Sequence, residues 1–350
     1  MFHRGIVIGK FHPPHKGHKY LIDTARSQCE ELTVIVCWKK SQEISGVERA
    51  RWIQEMHSDV HVKLLDDDRL ADDDSAAWAQ STLDILGYVP DAVFTSEAYG
   101  DPYASFMGSV HVLVDKDRTH IPISATMVRS DPIKYSSFLE SPVRAYFAKR
   151  ICVLGAESTG TTTLAKDLAE HYKTVWVPEY GRFYSEGKLF GDERAEWRTE
   201  EFVKIAKAQC ELEDLLAEAS NGLVVCDTDA FATSLWHERY MGRRSSEVET
   251  IASRRTYDLY LLTGDEIPFE QDGTRDGEHI RHNMHKRFIE RLTEENKKFI
   301  LVTGGREERL RAATEAIGRL ITIKQVKTKS KFSRRFVPFD SEYGTMFDKR

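Results

Sequence analysis

The chain has 350 residues, with 50 Lys and Arg against 56 Asp and Glu, a formal net charge of −6, and 41% hydrophobic residues. At roughly 150 residues per domain, that length predicts two domains, each able to bury its own core. The balance of charge excludes a mainly disordered chain and a globally basic nucleic-acid coat. No apolar run approaches the roughly 18 to 20 residues that span a bilayer, and the N-terminal segment has no long apolar stretch with a cleavage site, so a cytoplasmic protein is expected. Five cysteines, Cys29, Cys37, Cys152, Cys210 and Cys226, are scattered and never spaced C-x-x-C, which predicts reduced, buried thiols rather than a disulfide framework or a zinc site.

In chain order, β-rich runs alternate with helical stretches. The predicted series is a strand at 5–9, a helix at 16–28, a strand at 32–38, a helix near 49–57, a strand at 61–65, a helix near 75–86, and strands at 91–95 and 109–115. The pattern weakens over 130–150. A second series opens with a strand at 150–155 and a helix at 162–171, followed by a long amphipathic helix near 200–219 and a strand at 222–227. A helix around 230–240, strands at 257–262 and 297–304, and a helix near 307–320 complete it. Strands that each precede a loop or helix predict an α/β fold of two doubly wound parallel sheets, with ligands at the strand C-terminal ends. The expected divisions are 1–140, 141–322 and a basic tail over 323–350. Within that tail, 324–335 carries no acid, and a solvated extension is the expectation.

The segment Gly9-Lys10-Phe11-His12-Pro13-Pro14-His15-Lys16-Gly17-His18 joins the first strand to the first helix, where a parallel sheet receives a nucleotide. Gly9 permits a close turn, the prolines stiffen the bend, and Gly17 lets the helix begin tight against a ligand. His15 and His18, three apart at a helix start, face one side and are placed to donate to phosphate oxygens beside the free N–H groups of the helix N-terminus. The pattern G-x-F-x-P-x-H-x-G-H resembles the nucleotidyltransferase superfamily, and Ile123-Ser124-Ala125-Thr126-Met127-Val128-Arg129 resembles its I-S-x-T-x-x-R motif. That resemblance places Gly9, Phe11, Gly17, Ser124 and Thr126 on ATP and makes His15, His18 and Arg129 the groups that stabilise charge as a phosphate attacks the α-phosphorus. Positioning and positive charge suffice for such a step. Trp78 resembles the tryptophan that stacks on nicotinamide in archaeal-type mononucleotide adenylyltransferases; a core indole is the other reading. The acidic runs Asp66–Asp68 and Asp72–Asp74 are expected to form a solvated loop, with Asp74 or Ser75 as helix N-cap.

Gly155-Ala156-Glu157-Ser158-Thr159-Gly160-Thr161-Thr162 follows a strand and opens a helix, the setting of a phosphate-binding loop. Gly155, Ser158, Gly160, Thr161 and Thr162 are expected around ATP phosphates, with Thr162 on Mg²⁺. Thr161 stands where the consensus has lysine, so another cation must supply that charge: Arg182, or Arg275 and Arg281 in an Arg-rich stretch over 265–285 that could close as a lid. Asp227, at a strand end, could hold Mg²⁺ or accept a substrate proton.

The H-x-G-H and I-S-A-T motifs followed by E-S-T-G, P-E-Y-x-R and D-T-D resemble the NadR family over about residues 1–320. The resemblance implies nicotinamide mononucleotide adenylyltransferase and ribosylnicotinamide kinase activities, with nicotinamide mononucleotide, nicotinamide riboside, ATP and NAD as ligands and Mg²⁺ with ATP. Glu179, Tyr180, Arg182, Asp229 and Trp236 then fall on the riboside, with Tyr180 and Trp236 as candidate partners of the pyridinium ring or as core aromatics. Because the first strand begins by Gly5, no N-terminal helix-turn-helix is expected, nor any nucleic-acid or membrane partner; a homo-oligomer stays open. The alternative is an adenylyltransferase whose second domain is catalytically weak or senses nucleotides.

Overall fold

The computed structural model describes residues 1–71, 73–192, 195–271 and 277–323. Arg275, Asp72 and the basic tail over 324–335 lie outside the described residues. The chain divides into two units, Met1–Phe147 and Ala148 onward.

The first unit runs β1 (Phe2–Gly9), α1 (Lys16–Arg26), β2 (Cys29–Trp38), α2 (Gly46–Met56), β3 (His61–Asp66), α3 (Ser75–Leu86), β4 (Ala92–Thr95), α4 (Gly100–Met107), β5 (Val110–Leu113), α5 (Ala125–Ser130), a 3-10 turn over Ser136–Phe138 and α6 (Ser141–Phe147). Its five strands are parallel in the order β3-β2-β1-β4-β5. Successive strands therefore leave β1 on opposite sides, so the loop after Gly9 opens into the crevice where the winding reverses. Ile6 and Ile8 pack on one face with Ile35 and Val93, while Val7 packs on the other with Val34 and Phe94. A strand buried on both faces reads as a continuous apolar run, which is why GIVIG shows no alternation. Ser45 and Asp74 cap α2 and α3 through their side-chain oxygens. The first unit extends through α6 to Phe147, beyond the expected limit at 140, because Val143 is buried with Trp52, Ile123, Val128 and Leu139.

The second unit runs β6 (Lys149–Leu154), α7 (Thr161–Tyr172), β7 (Val175–Val177), α8 (Tyr180–Leu189), α9 (Thr199–Ala219), β8 (Leu223–Asp227), α10 (Ala230–Met241), α11 (Ser246–Ser253), β9 (Leu259–Thr263), α12 (Glu278–Glu294), β10 (Phe299–Val302) and α13 (Arg306–Ile323). Its sheet is also parallel, ordered β10-β9-β6-β8-β7, with β6 central. Ile151, Val153, Val225 and Leu261 pack under Leu164 and Leu168 of α7 and Ala313 and Ile317 of α13. All five cysteines are buried and unpaired. No helix among the described residues is long and apolar enough to cross a membrane.

Candidate active sites in two phosphate loops

In the first unit, His15 is the N-cap of α1, and the two histidines cap each other's backbone. His18 N–H donates to His15 Nδ1, and His15 N–H donates to His18 Nδ1, both at 3.3 Å. The rings stack with centroids 3.7 Å apart and planes 18° off parallel. An imidazole whose Nδ1 accepts a backbone N–H carries its proton on Nε2 when neutral, so each ring keeps one N–H donor for a ligand. Burial, with the Arg118 charge nearby, pulls His15 from 6.5 down to about 4. Burial, reinforced by His15 and Arg118, holds His18 well below the usual histidine value. The expected pair of positive imidazoles is thus a pair of neutral donors until an anion arrives, because a buried ring beside an arginine disfavours a second charge.

Arg129 reaches across from α5: Nη1 donates to the His12 carbonyl, and Nη2 donates to Thr126 Oγ1 at 3.1 Å. Ser124 caps α5 by accepting from Met127 N–H at 3.2 Å. Together these bring two motifs more than a hundred residues apart in sequence to one cavity of about 610 Å³. Gly9, Phe11, His15, Gly17, His18, Trp78, Ser124, Thr126 and Arg129 all line it. Trp78 packs against the core and also lines the cavity, and its Nε1 donates to the Ala71 carbonyl at 2.8 Å.

Two further arginines had no sequence signal of their own. Arg118, exposed on the loop after β5, lines the cavity and pairs with Glu97 at 3.3 Å. Arg49 of α2 is fully buried; it donates to the Lys10 carbonyl, to Gln42 Oε1 at 2.7 Å and to Ser45 O at 3.1 Å, and so holds the phosphate loop from behind. Asp67 departs from the solvated acidic loop that was expected. It is fully buried, and its charge faces Arg49, whose guanidinium would otherwise be a lone buried cation.

In the second unit, Gly155 to Thr162 leave β6 and enter α7. Gly155 sits where a Cβ would lie 2.2 Å from Thr263 Oγ1, so only glycine lets the loop pass β9. Gly160 caps α7 with φ +78°, a left-handed conformation that glycine adopts without strain. A cavity of about 200 Å³ is lined by Gly155, Ser158, Gly160, Thr161 and Thr162, together with Glu157, Glu179, Arg182 and Trp236. Asp227, 1% exposed at the end of β8, has the hydroxyls of Thr162 and Thr161 nearby, and burial raises its carboxyl above the usual aspartate value. Its Oδ1 is buried without a hydrogen-bond partner. A carboxylate oxygen left open beside a threonine hydroxyl at a helix start is the donor set that Mg²⁺ takes, so Thr162 and Asp227 fit that ion.

Three expectations change here. Asp229 does not line the cavity: it is the N-cap of α10, with Oδ1 accepting from Ala232 N–H and Oδ2 from Tyr260 hydroxyl, both at 2.8 Å. Its two oxygens are committed to holding the helix, and burial lifts its carboxyl to about 6. Tyr180 is likewise absent from the lining; its backbone N–H is held by Gln209, and its ring lies against Phe183. The aromatic wall beside Trp236 is instead Trp197, Phe202 and Tyr240, whose rings lie 5.2 to 6.0 Å apart. Trp197 sits in a loop without periodic pattern, and nothing in the sequence marked it. Arg281 is 5% exposed on α12, donating to the carbonyls of Ser158 and Ile267, so the proposed lid becomes helix from Glu278 onward.

Residues 6–131 match the Cytidylyltransferase-like family, and residues 150–309 match an AAA domain family. Over 321 residues the chain is 29% identical to the "Trifunctional NAD biosynthesis/regulator protein NadR" of Escherichia coli (strain K12), covering 85% of this chain and 78% of that protein. The protein of the same name from Salmonella typhimurium (strain LT2) matches to the same extent. The chain is thus similar to NadR proteins along most of its length. Two solved structures share the NadR fold: "NadR protein in complex with NR" has a TM-score of 0.74 at 21% identity, covering 91% of this chain and 96% of that one. "NadR protein in complex with NAD and AMP-PNP" has a TM-score of 0.72 at 22% identity, covering 94% and 98%.

Proposed function

We propose that this chain makes NAD in two steps, phosphorylating nicotinamide riboside in the second unit and adenylating nicotinamide mononucleotide in the first. The observation that carries the reading is the first cavity, where two neutral imidazoles fixed by mutual Nδ1 capping meet Arg129, Ser124, Thr126 and Trp78. In the adenylyl step a phosphate oxygen of the mononucleotide bonds to the α-phosphorus of ATP as the bond to the β-bridging oxygen breaks and pyrophosphate leaves. His15 and His18 donate Nε2–H to phosphate oxygens, and the helix start of α1 and Arg129 meet the charge that grows there. An anion at the exposed Nε2 edges of the rings favours their protonated forms, so binding itself strengthens the cradle.

In the kinase step the riboside hydroxyl oxygen bonds to the γ-phosphorus, its proton passes to Asp227, and ADP leaves. Mg²⁺, held by Thr162 and Asp227, would neutralise charge on the β- and γ-phosphates. Glu179 and the wall of Trp197, Trp236 and Tyr240 would receive the riboside, whose cationic ring gains from aromatic faces.

Incubating the protein with nicotinamide riboside, ATP and Mg²⁺, and separately with the mononucleotide, tests both steps by chromatography. NAD formed in both mixtures is the expected result; none from the mononucleotide refutes the reading of the first unit. Trp78→Ala is expected to raise KM for the mononucleotide about tenfold while KM for ATP stays within about twofold, since one ring face lost is worth about 0.5–1.5 kcal/mol. The missing loop lysine favours a second reading, in which the second unit binds nucleotides without turnover. ATP-dependent loss of riboside in the first mixture decides against it.

A further inference from the structure

Thr161 occupies the position at which a phosphate loop ordinarily carries the lysine that reaches the β- and γ-phosphates. Its hydroxyl, like that of Thr162, lies near enough to Asp227 to favour the ionised carboxylate. The side chain brings no charge to the cavity. Four neighbouring cations are described around the loop. Arg281 donates to the carbonyls of Ser158 and Ile267. Arg309 donates to those of Thr159, Gly264 and Gly304 and pairs with Glu266 at 2.7 Å. Both are buried and brace the loop's backbone from outside the cavity. Lys166 lies over the Trp176 ring, 4.4 Å from its centroid, also away from the lining.

Arg182 differs from these three. It sits in the first turn of α8, half-buried, and among the described residues it is the one cation that lines the cavity. It lines the same cavity as Thr161 and Thr162, so the guanidinium and the vacated lysine position share one site, and its charge, like that of Lys166, also acts on Asp227. Among the described residues, the charged groups near Arg182 include Glu179, 3.9 Å from Nε, and Glu157 on the cavity wall. A guanidinium there can engage two phosphate oxygens at once through its planar fork of donors.

We infer that Arg182 supplies, from α8, the positive charge at the transferring phosphoryl group that the missing loop lysine would otherwise supply, and that it is a catalytic residue for the ATP side of the kinase step. This rests on the kinase reading above and, of the two places the sequence left open for Arg182, chooses the phosphates over the riboside. The step stays balanced: the hydroxyl oxygen bonds to the γ-phosphorus, the bond to the β-bridging oxygen breaks, the proton goes to Asp227, and the guanidinium bonds to oxygens without exchanging protons.

The test is a two-by-two set in the full chain: wild type, Arg182→Ala, Thr161→Lys and the double variant, assayed for riboside phosphorylation with ATP and Mg²⁺. Adenylyl transfer and the unfolding profile serve as checks of the fold. Expected are a fall of at least about 100-fold in kcat for Arg182→Ala, little change for Thr161→Lys alone, and recovery of at least about tenfold on adding Thr161→Lys to Arg182→Ala. If Arg182 only bound the riboside, a lysine in the loop would not restore the double variant, and that result overturns the inference. So does full activity of Arg182→Ala, including the case in which Arg275→Ala is the inactive one. An inactive wild type with an active Thr161→Lys overturns the inference while leaving the kinase reading standing. Inactivity of both refutes the kinase reading itself.

Discussion

Replacing His15 with Asn separates the two consequences of its burial. Asparagine keeps a side-chain oxygen at the N-cap to accept His18 N–H, so α1 stays capped, but it neither titrates nor presents Nε2–H. In the folded chain His15 falls from 6.5 to about 4 through burial and the charge of Arg118. The unfolded chain therefore binds more protons than the folded one between those values, and stability is lost as pH falls from 6.5 toward 4, being fully present above 6.5. At about 1.36 kcal/mol per pH unit the loss is about 3 kcal/mol. Urea unfolding of the first-unit transition at pH 7.5 and pH 4.5 should show a pH-dependent drop in the wild type that is smaller by most of that amount in His15→Asn. At pH 7.5 the variant's adenylyl transfer should be lower by about 10²–10³-fold, the cost of removing one preorganised donor. An identical pH dependence in both proteins would refute a buried neutral His15. Retained NAD synthesis would refute its part in the reaction.

Gly17→Ala should divide stability from activity in the same site. A Cβ there would lie 3.1 Å from His15 Cε1 and Nδ1, so the stacked ring must shift by a few tenths of an ångström, while alanine gains about 1 kcal/mol in helix propensity. Unchanged or higher stability with at least tenfold slower NAD formation is expected; unchanged kinetics would show that the ring's position does not matter. Asp229→Ala should cost about 2–4 kcal/mol of second-unit stability in denaturant titration, from the lost cap and the stranded Tyr260 hydroxyl. KM for the riboside should stay within about twofold, and a large rise in KM without loss of stability would return Asp229 to the substrate.

The two-unit α/β plan was legible because its signals are local. Continuous apolar strands such as GIVIG and GLVVC, each followed by a loop with glycine at a fixed offset, specify parallel strands buried on both faces and the turns that leave them. Most first-unit site residues were legible for the same reason: His15, Gly17 and His18 form one turn of helix, and Ser124, Thr126 and Arg129 another. The second site was legible only in part. Asp229 and Asp227 stand two residues apart at a strand end and look alike in sequence, yet Asp229 closes α10 and binds Tyr260, while Asp227 keeps an open oxygen beside Thr161 and Thr162. The difference depends on which face of the strand end each side chain leaves, and on a tyrosine 31 residues further on.

Sequence by itself therefore determined the composition of each loop: a paired-histidine turn in one unit and a lysine-less phosphate loop in the other, because the spacing of a turn is fixed by backbone geometry. Which of the arginines line those loops' cavities is a matter of the tertiary structure. Arginines 49, 118, 182, 281 and 309 carry the same charge in the sequence, and only packing commits Arg49, Arg281 and Arg309 to backbone carbonyls and leaves Arg118 and Arg182 facing a cavity. A guanidinium on a long side chain takes its role from whichever acceptors the fold brings within reach, and those acceptors lie on other elements of the chain.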